Sequence, residues 1–215
     1  MFCDSKTPPL IPDSRFLNIM KTTIYFTILT DDISTEKLYN ASAPNRRAKA
    51  DALRPESDKR LSLAAGLMIK KLIGDIPINT GDHGKPRAEG VFFNYSHSGD
   101  VVMFALADCE VGCDVQKIGD VRLGAAKRAF SEEELAAFTA EGDPEKQKAL
   151  FFKLWTMKES VVKMTGAGFA GGAKSFSAAD YNVAEVPCPE GYAAALCAKK
   201  NREFSVRYLP ISALI

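Results

Sequence analysis

Lys153-Leu-Trp-Thr-Met-Lys-Glu-Ser-Val-Val-Lys163 is the stretch from which the rest of the chain is read. Leu150, Leu154, Met157, Val161 and Met164 recur at spacings of four and three, as on a helix with one core-facing stripe. Trp155, Glu159 and Lys163 recur every four residues and form a second stripe, with Lys158 at its edge. Asp143 is placed to cap this helix, Pro144 suits its first position, and Gly166 can end it. Taken alone, the stretch has two readings. One is an amphipathic helix with a solvated Glu–Lys pair worth about 0.3–0.5 kcal/mol. The other is a rigid element whose carboxylate, flanked by lysines, holds a cation and a polyphosphate. The remainder of the chain has to decide.

Hydrophobic residues make up 46% of the 215 residues, enough for a sizeable core and too many for a disordered chain. Basic and acidic residues nearly cancel, 28 against 27, whereas a protein driven by nucleic-acid phosphates shows a basic excess. No nucleic-acid partner is expected, and any phosphate chemistry must be local. The five cysteines are odd in number and form no Cys-x-x-Cys pair, which points to reduced thiols in a cytoplasmic protein. No apolar run reaches the roughly 18 residues of a membrane helix. Residues 1–20 carry Pro8, Pro9 and Pro12, lack a signal-peptide layout, and read as a loosely ordered leader, with Met20 a candidate start.

Thr22 to Thr30 reads as a strand with Ile24, Phe26 and Ile28 on one face. A basic segment follows, with Arg46, Arg47, Lys49, Arg54, Lys59 and Arg60; it is either solvated surface or an anion platform. Pro55 to Ile73 reads as a helix with Leu61, Ala65, Met68 and Leu72 inward, ended by Gly74. Asn79 to Gly90 reads as a loop carrying Lys85, with His83 on the surface. Val91–Tyr95 and Val101–Ala107 read as strands joined by Ser96-His-Ser-Gly-Asp100, which puts His97 at a tip or strand end. Val111 to Gln116 reads as a strand with Gly112, Asp114 and Gln116 on one face and Cys113 and Val115 on the other. An acid inside an apolar strand is a conflict that often marks function; alternatively Asp114 ends the strand and pairs with Lys117. Ser131-Glu-Glu-Glu134 is a capping box with Phe130 and Leu135 as its staple. Strands near Tyr192–Ala198 and Phe204–Leu209, with a turn at Lys200-Asn201, close the chain. Without a steady strand–helix–strand rhythm, the fold class is α+β.

Asp114 with Gln116, Glu159 on a helix, and several cations then converge on one chemistry. Magnesium takes hard oxygen ligands, usually one or two carboxylates plus substrate phosphates and waters. Lys158, Lys163, Lys85 and His97 suit a pyrophosphate, which outlines metal-assisted phosphoryl transfer.

Five motifs stand in order: Gly84-Lys-Pro86, Phe93-Asn-Tyr-Ser-His-Ser-Gly99, Val111-Gly-Cys-Asp-Val-Gln116, Phe130-Ser-Glu-Glu-Glu134 and Trp155-Thr-Met-Lys-Glu-Ser160. Together, from about Arg46 to Gly168, they resemble the Sfp-type 4′-phosphopantetheinyl transferases. The resemblance implies transfer of the phosphopantetheine arm of coenzyme A to a serine of an acyl or peptidyl carrier protein, with release of adenosine 3′,5′-bisphosphate. It implies two similar α+β halves, 21–108 and 109–215, packed as a pseudo-dimer in one monomeric chain around coenzyme A. Asp114, Gln116 and Glu159 would hold Mg2+. Glu159, Lys163 and Asp114 would be catalytic. Lys163, His97, Lys158, Lys85 and Ser96 would contact coenzyme A, and Arg46, Arg47 and Arg60 its 3′-phosphate and adenine. Two positions depart from the family pattern. Gln116 stands where a glutamate is usual, and Leu61 where an arginine is usual, with Arg60 or Lys59 as neighbouring substitutes. Gln116 is also what favours the alternative, a relative that binds coenzyme A or a carrier protein with little catalysis. Exposed apolar residues around Phe130–Phe138 are a candidate carrier-docking surface.

Overall fold

The computed structural model describes residues 22–81, 84–168, 173–200 and 203–215. The proposed leader, His83, and part of the Lys200-Asn201 turn lie outside these residues. The first elements are β1 (Thr22–Ile28), α1 (Thr35–Ala41), α2 (Pro44–Asp51) and α3 (Glu56–Ile73). Two short strands follow, β2 (Asn79–Thr80) and β3 (Pro86–Arg87), then β4 (Phe92–Ser98) and β5 (Val101–Ala107). The second set is β6 (Val111–Lys117), α4 (Leu123–Ala129), α5 (Glu132–Ala140), α6 (Pro144–Thr165), β7 (Val183–Glu185), β8 (Tyr192–Ala198) and β9 (Phe204–Tyr208). The fold is α+β.

One sheet runs β4-β5-β1-β9 and another β6-β8-β7. In the first sheet Val102, Phe104 and Leu106 pack under α3. Alternate residues Val101, Met103 and Ala105, with Ile24 and Phe26, face Cys113, Val115 and Leu196 of the second sheet. The period of two therefore builds one core on each face of β5, and the sheets lie back to back with helices outside. Strand β9 crosses the division drawn at residue 108. It pairs parallel to β1, and Ile211 and Leu214 beyond it enter the core under α3. The second sheet is short, so the apolar end of the chain finds its cover on the first.

Local chemistry explains the boundaries. Ser131 and Glu134 form the reciprocal capping box of α5. The Asp143 carboxylate accepts from the amides of Glu145 and Lys146, Pro144 opens α6, and Gly166 ends it at φ 73°. Some expectations shift. Ile28 ends β1 40% exposed, because only Ile24 and Phe26 reach the inter-sheet core. The loop over 79–90 contains the β2–β3 pair, Asn79 opposite Arg87 and Thr80 opposite Pro86. The β4–β5 connection shortens to Gly99-Asp100, since Ser98 already pairs with Val101; Gly99 at φ 57° makes that turn possible.

The face of β6 that carries Asp114 lies against α6. A Cβ on Gly112 would meet the Ser160 carbonyl and the Met164 amide well inside contact distance. Helix and strand backbones therefore touch there, and only glycine fits. Gly112→Ala should lower the urea-unfolding free energy by about 2 kcal/mol or more, as overpacking of a closed core does. An unchanged midpoint would show that α6 does not lie this close.

Candidate active site

The edge strands of the two sheets, β4 and β6, lie side by side, and no ladder joins them among the described residues. Alternate side chains of β4 do the joining. Asn94 Oδ1 accepts from the Cys113 amide at 3.0 Å, and Ser98 Oγ accepts from the Lys117 amide at 3.0 Å. Between them Ser96 Oγ donates instead to Asp114 Oδ1 at 2.7 Å. Two rungs thus satisfy the open edge of β6, and the middle rung holds a carboxylate.

Asp114 is fully buried. Its Oδ1 also accepts from Lys163 Nζ at 2.6 Å, and its Oδ2 from Gln116 Nε2 at 3.0 Å. Lys163 Nζ donates to Ser96 Oγ at 2.9 Å, so ammonium, hydroxyl and carboxylate close a triangle. Burial works most strongly against the Lys163 charge, but the charge and hydrogen bond of Asp114, with Cys113 and Glu159, together outweigh it, and the lysine pKa is raised. Asp114 therefore sits in the middle of its strand, paired with α6; Lys117 pairs with Asp100 at 3.4 Å.

Glu159 stands one turn before Lys163 on the same face of α6. Burial first, and then the negative charge of Asp114, push its carboxyl up to about 7, against the pull of Lys163. Two acids share this space with one ammonium between them. Such a pair is short of positive charge, and hard oxygen donors in that state suit a divalent cation. Gln116 adds an amide, with Nε2 toward Asp114 and Oε1 3.5 Å from Ser98 Oγ. Amide orientation is assigned from such networks, and turning the group over aims its oxygen into the same space. Among the described residues no trio of His, Cys, Asp and Glu is disposed to hold a metal, because the third position here is Gln116.

His97 is exposed at the end of β4, one residue before its last, as the strand-end reading expects. Its pKa is lowered by desolvation and then by Lys163; Asp58 opposes this, and Lys49 adds to it. The helices of the first half thus bring Lys49 and Asp58 toward His97. Lys49 belongs to the basic segment read as a candidate anion platform, whereas the sequence reading does not include Asp58 in the site.

Five cations expected to meet the ligand have contacts within the protein. Lys158 is fully buried and pairs with Glu134 at 2.8 Å, because it lies about 100° round the helix from Glu159 and points into the second half. Lys85 is buried on Glu110 at 2.6 Å and on the Met164 carbonyl at 2.9 Å. It ties β3 to the end of α6. Arg47 donates to the carbonyls of Ser42 and Asn40, each at 2.8 Å, and lies over the Tyr39 ring. Arg60 donates to the Thr30 carbonyl at 2.8 Å. Arg46 lies across α3 against Gly66. Phe130 and Phe138, the expected docking residues, are buried in the core under α4 and α6. Nearby Leu123 is exposed.

Similarity to known proteins points to one family. A family model described as the 4′-phosphopantetheinyl transferase superfamily matches residues 110–208. The chain is 36% identical to the 4′-phosphopantetheinyl transferase psf-1 of Bacillus pumilus, over 62% of this chain and 61% of that protein. It is 31% identical to the 4′-phosphopantetheinyl transferase Sfp of Bacillus subtilis (strain 168), over 66% and 68%. It is 38% identical to the 4′-phosphopantetheinyl transferase AcpT of Salmonella typhi, over 52% and 62%. The matched stretches span 61% to 68% of these relatives' lengths. The chain belongs to the Sfp-type branch of the 4′-phosphopantetheinyl transferase superfamily.

The Glu159 carboxyl gives a pH signature. Its pKa in the folded chain, about 7, lies above the usual 4.5, so between these values the folded state holds the extra proton. The associated stability is present below about 4.5 and is lost as pH rises through about 7. In EDTA, Glu159→Gln should melt with the wild type near pH 5 and progressively above it toward pH 8. Parallel melting curves across that range would contradict the raised carboxyl.

Proposed function

We propose that the chain transfers the 4′-phosphopantetheine group of coenzyme A to a serine of an acyl or peptidyl carrier protein, releasing adenosine 3′,5′-bisphosphate. The observation that carries the reading is the cluster of Asp114, Lys163 and Ser96, with the Glu159 carboxyl beside it, at the seam of the two sheets. Family membership supports it, and the relatives named above are called 4′-phosphopantetheinyl transferases. The protein acts as a monomer in the cytoplasm, its two halves bracketing coenzyme A, with β9 returning from the second half to the first sheet. No described helix is long and apolar enough to cross a membrane, and the near balance of charge argues against a nucleic-acid partner.

Asp114 and Glu159, with Gln116 through its amide oxygen, would hold Mg2+. A bound Mg2+ would offset the charge that builds on the pyrophosphate during transfer. Lys163 lies where it can follow that charge, and the Ser96 hydroxyl holds Asp114 in place for it. His97 and Lys49 face the same space from the first half and suit further phosphate oxygens. The serine oxygen forms a bond to the phosphorus that carries pantetheine. The bond from that phosphorus to the bridging oxygen breaks, and adenosine 3′,5′-bisphosphate leaves with its electron pair. The Glu159 carboxylate accepts the serine proton, a task suited to a group titrating near neutrality.

Incubation with coenzyme A, Mg2+ and several apo carrier proteins, followed by mass spectrometry, should show one phosphopantetheine added at serine. Asp114→Asn and Glu159→Gln should each lower the rate at least 100-fold while the protein stays folded, in the range of lost electrostatic or acid–base assistance. Either variant loading carrier at the wild-type rate would refute these roles. Gln116→Glu should lower the Mg2+ concentration for half-activity; coincident titrations would place Gln116 outside the metal site. The alternative, binding without transfer, rests on the charge missing at Gln116. Calorimetric binding of coenzyme A with no loading of any carrier would favour it.

A further inference from the structure

The Glu134–Lys158 pair is the most completely satisfied polar group away from the cluster. Lys158 Nζ donates to Glu134 Oε2 at 2.8 Å, to the Ala173 carbonyl at 3.0 Å and to the Phe176 carbonyl, which engages all of its hydrogens. The Phe176 ring lies 4.3 Å from the ammonium. Glu134 Oε2 also accepts from the Ser131 amide at 2.9 Å. Its Oε1 accepts from the Ala178 amide at 2.8 Å and from Ser177 Oγ at 3.4 Å. One buried pair thus joins the start of α5, the middle of α6 and the 173–178 segment.

A buried ion pair is a poor way to gain stability, since packed apolar side chains often do as well or better. What it adds is direction. Apolar burial of α6 is concentrated at Phe151, Phe152, Val161 and Val162; between these pairs the buried positions are Thr156, Lys158 and Ser160, while Leu150, Leu154, Met157 and Met164 of its stripe are only partly buried. Lys158 precedes Glu159 directly, so the two side chains leave the helix about 100° apart. Where the ammonium is held, the direction of Glu159 is settled, and with it Lys163 one turn on.

We propose that Glu134 and Lys158 are a positioning pair: they set the rotation of α6 about its own axis, so that Glu159 and Lys163 face Asp114 from the far side of the helix. This rests on the metal and phosphate roles proposed above for those residues.

The experiment compares Glu134→Gln, whose single amide oxygen keeps one of the two backbone contacts, at Ser131 or at Ala178, and gives up the other, and the double variant Glu134→Gln/Lys158→Met, which removes both charges. The control is Lys153→Met/Glu185→Gln, which removes an exposed ion pair of the same helix, 2.5 Å in length. Binding of Mn2+ in the presence of coenzyme A is read by electron paramagnetic resonance. KM for carrier protein and kcat are read by loading. Folding is read by cooperative thermal melting. A folded positioning variant should bind Mn2+ about tenfold more weakly, the lower end of what lost outer-shell partners cost metal sites. Its kcat should fall while KM for carrier stays unchanged. The control should match the wild type. A folded variant with wild-type Mn2+ binding overturns the proposal. So does failure of both positioning variants to fold, which would make the pair a matter of stability alone. Wild-type protein that binds no Mn2+ with coenzyme A and loads no carrier refutes the functional reading instead.

Discussion

The closeness of α6 to β6 is the constraint on which the site depends. Gly112 has no side chain, and without that absence the helix backbone could not come down onto the strand. Asp114 is two residues on, facing the same way. A half-buried lysine ammonium on α6 therefore meets a fully buried carboxylate at 2.6 Å. Burial of Glu159, and then the charge of Asp114, hold the Glu159 carboxyl up at about 7. Three charges on two elements act on one another because one side chain is missing.

The second requirement is the seam. Open strand edges invite unwanted pairing, and this chain closes two of its own edges against each other with side chains. Asn94 and Ser98 take the amides of Cys113 and Lys117, while Ser96 serves Asp114. A period of two along β4 is enough to turn structural rungs into a functional one. The apolar layer between the sheets, built from Phe26, Met103, Val115 and Leu196, keeps that seam in register.

Cations that look alike in sequence have separate uses. Lys163 reaches the site. Lys158 and Lys85 are buried against Glu134 and Glu110 and hold neighbouring segments onto α6. Arg47 and Arg60 stitch the first-half helices to carbonyls before them. Gln116 leaves the cluster one negative charge poorer than the family pattern, and the amide engages Asp114 and Ser98 instead.

Much of this was legible from residue order alone. The capping box at Ser131, the limits of α6 at Asp143 and Gly166, and the facing of Gly112, Asp114 and Gln116 follow from local rules, because caps and alternation act within a few residues. The grouping of Asp114, Glu159 and Lys163 was only outlined by residue type, and it was the resemblance carried by the five ordered motifs that gave it a definite chemistry. What each cation touches was not legible. Lys158 and Lys163 lie on one helix, and only the packing of α5 and the 173–178 segment on one side and β6 on the other sends them to different partners. The return of β9 to the first sheet, the burial of Phe138 and the approach of Lys49 to His97 were likewise decided by tertiary structure. Contacts between residues far apart in the chain depend on how layers stack, and no local pattern records that.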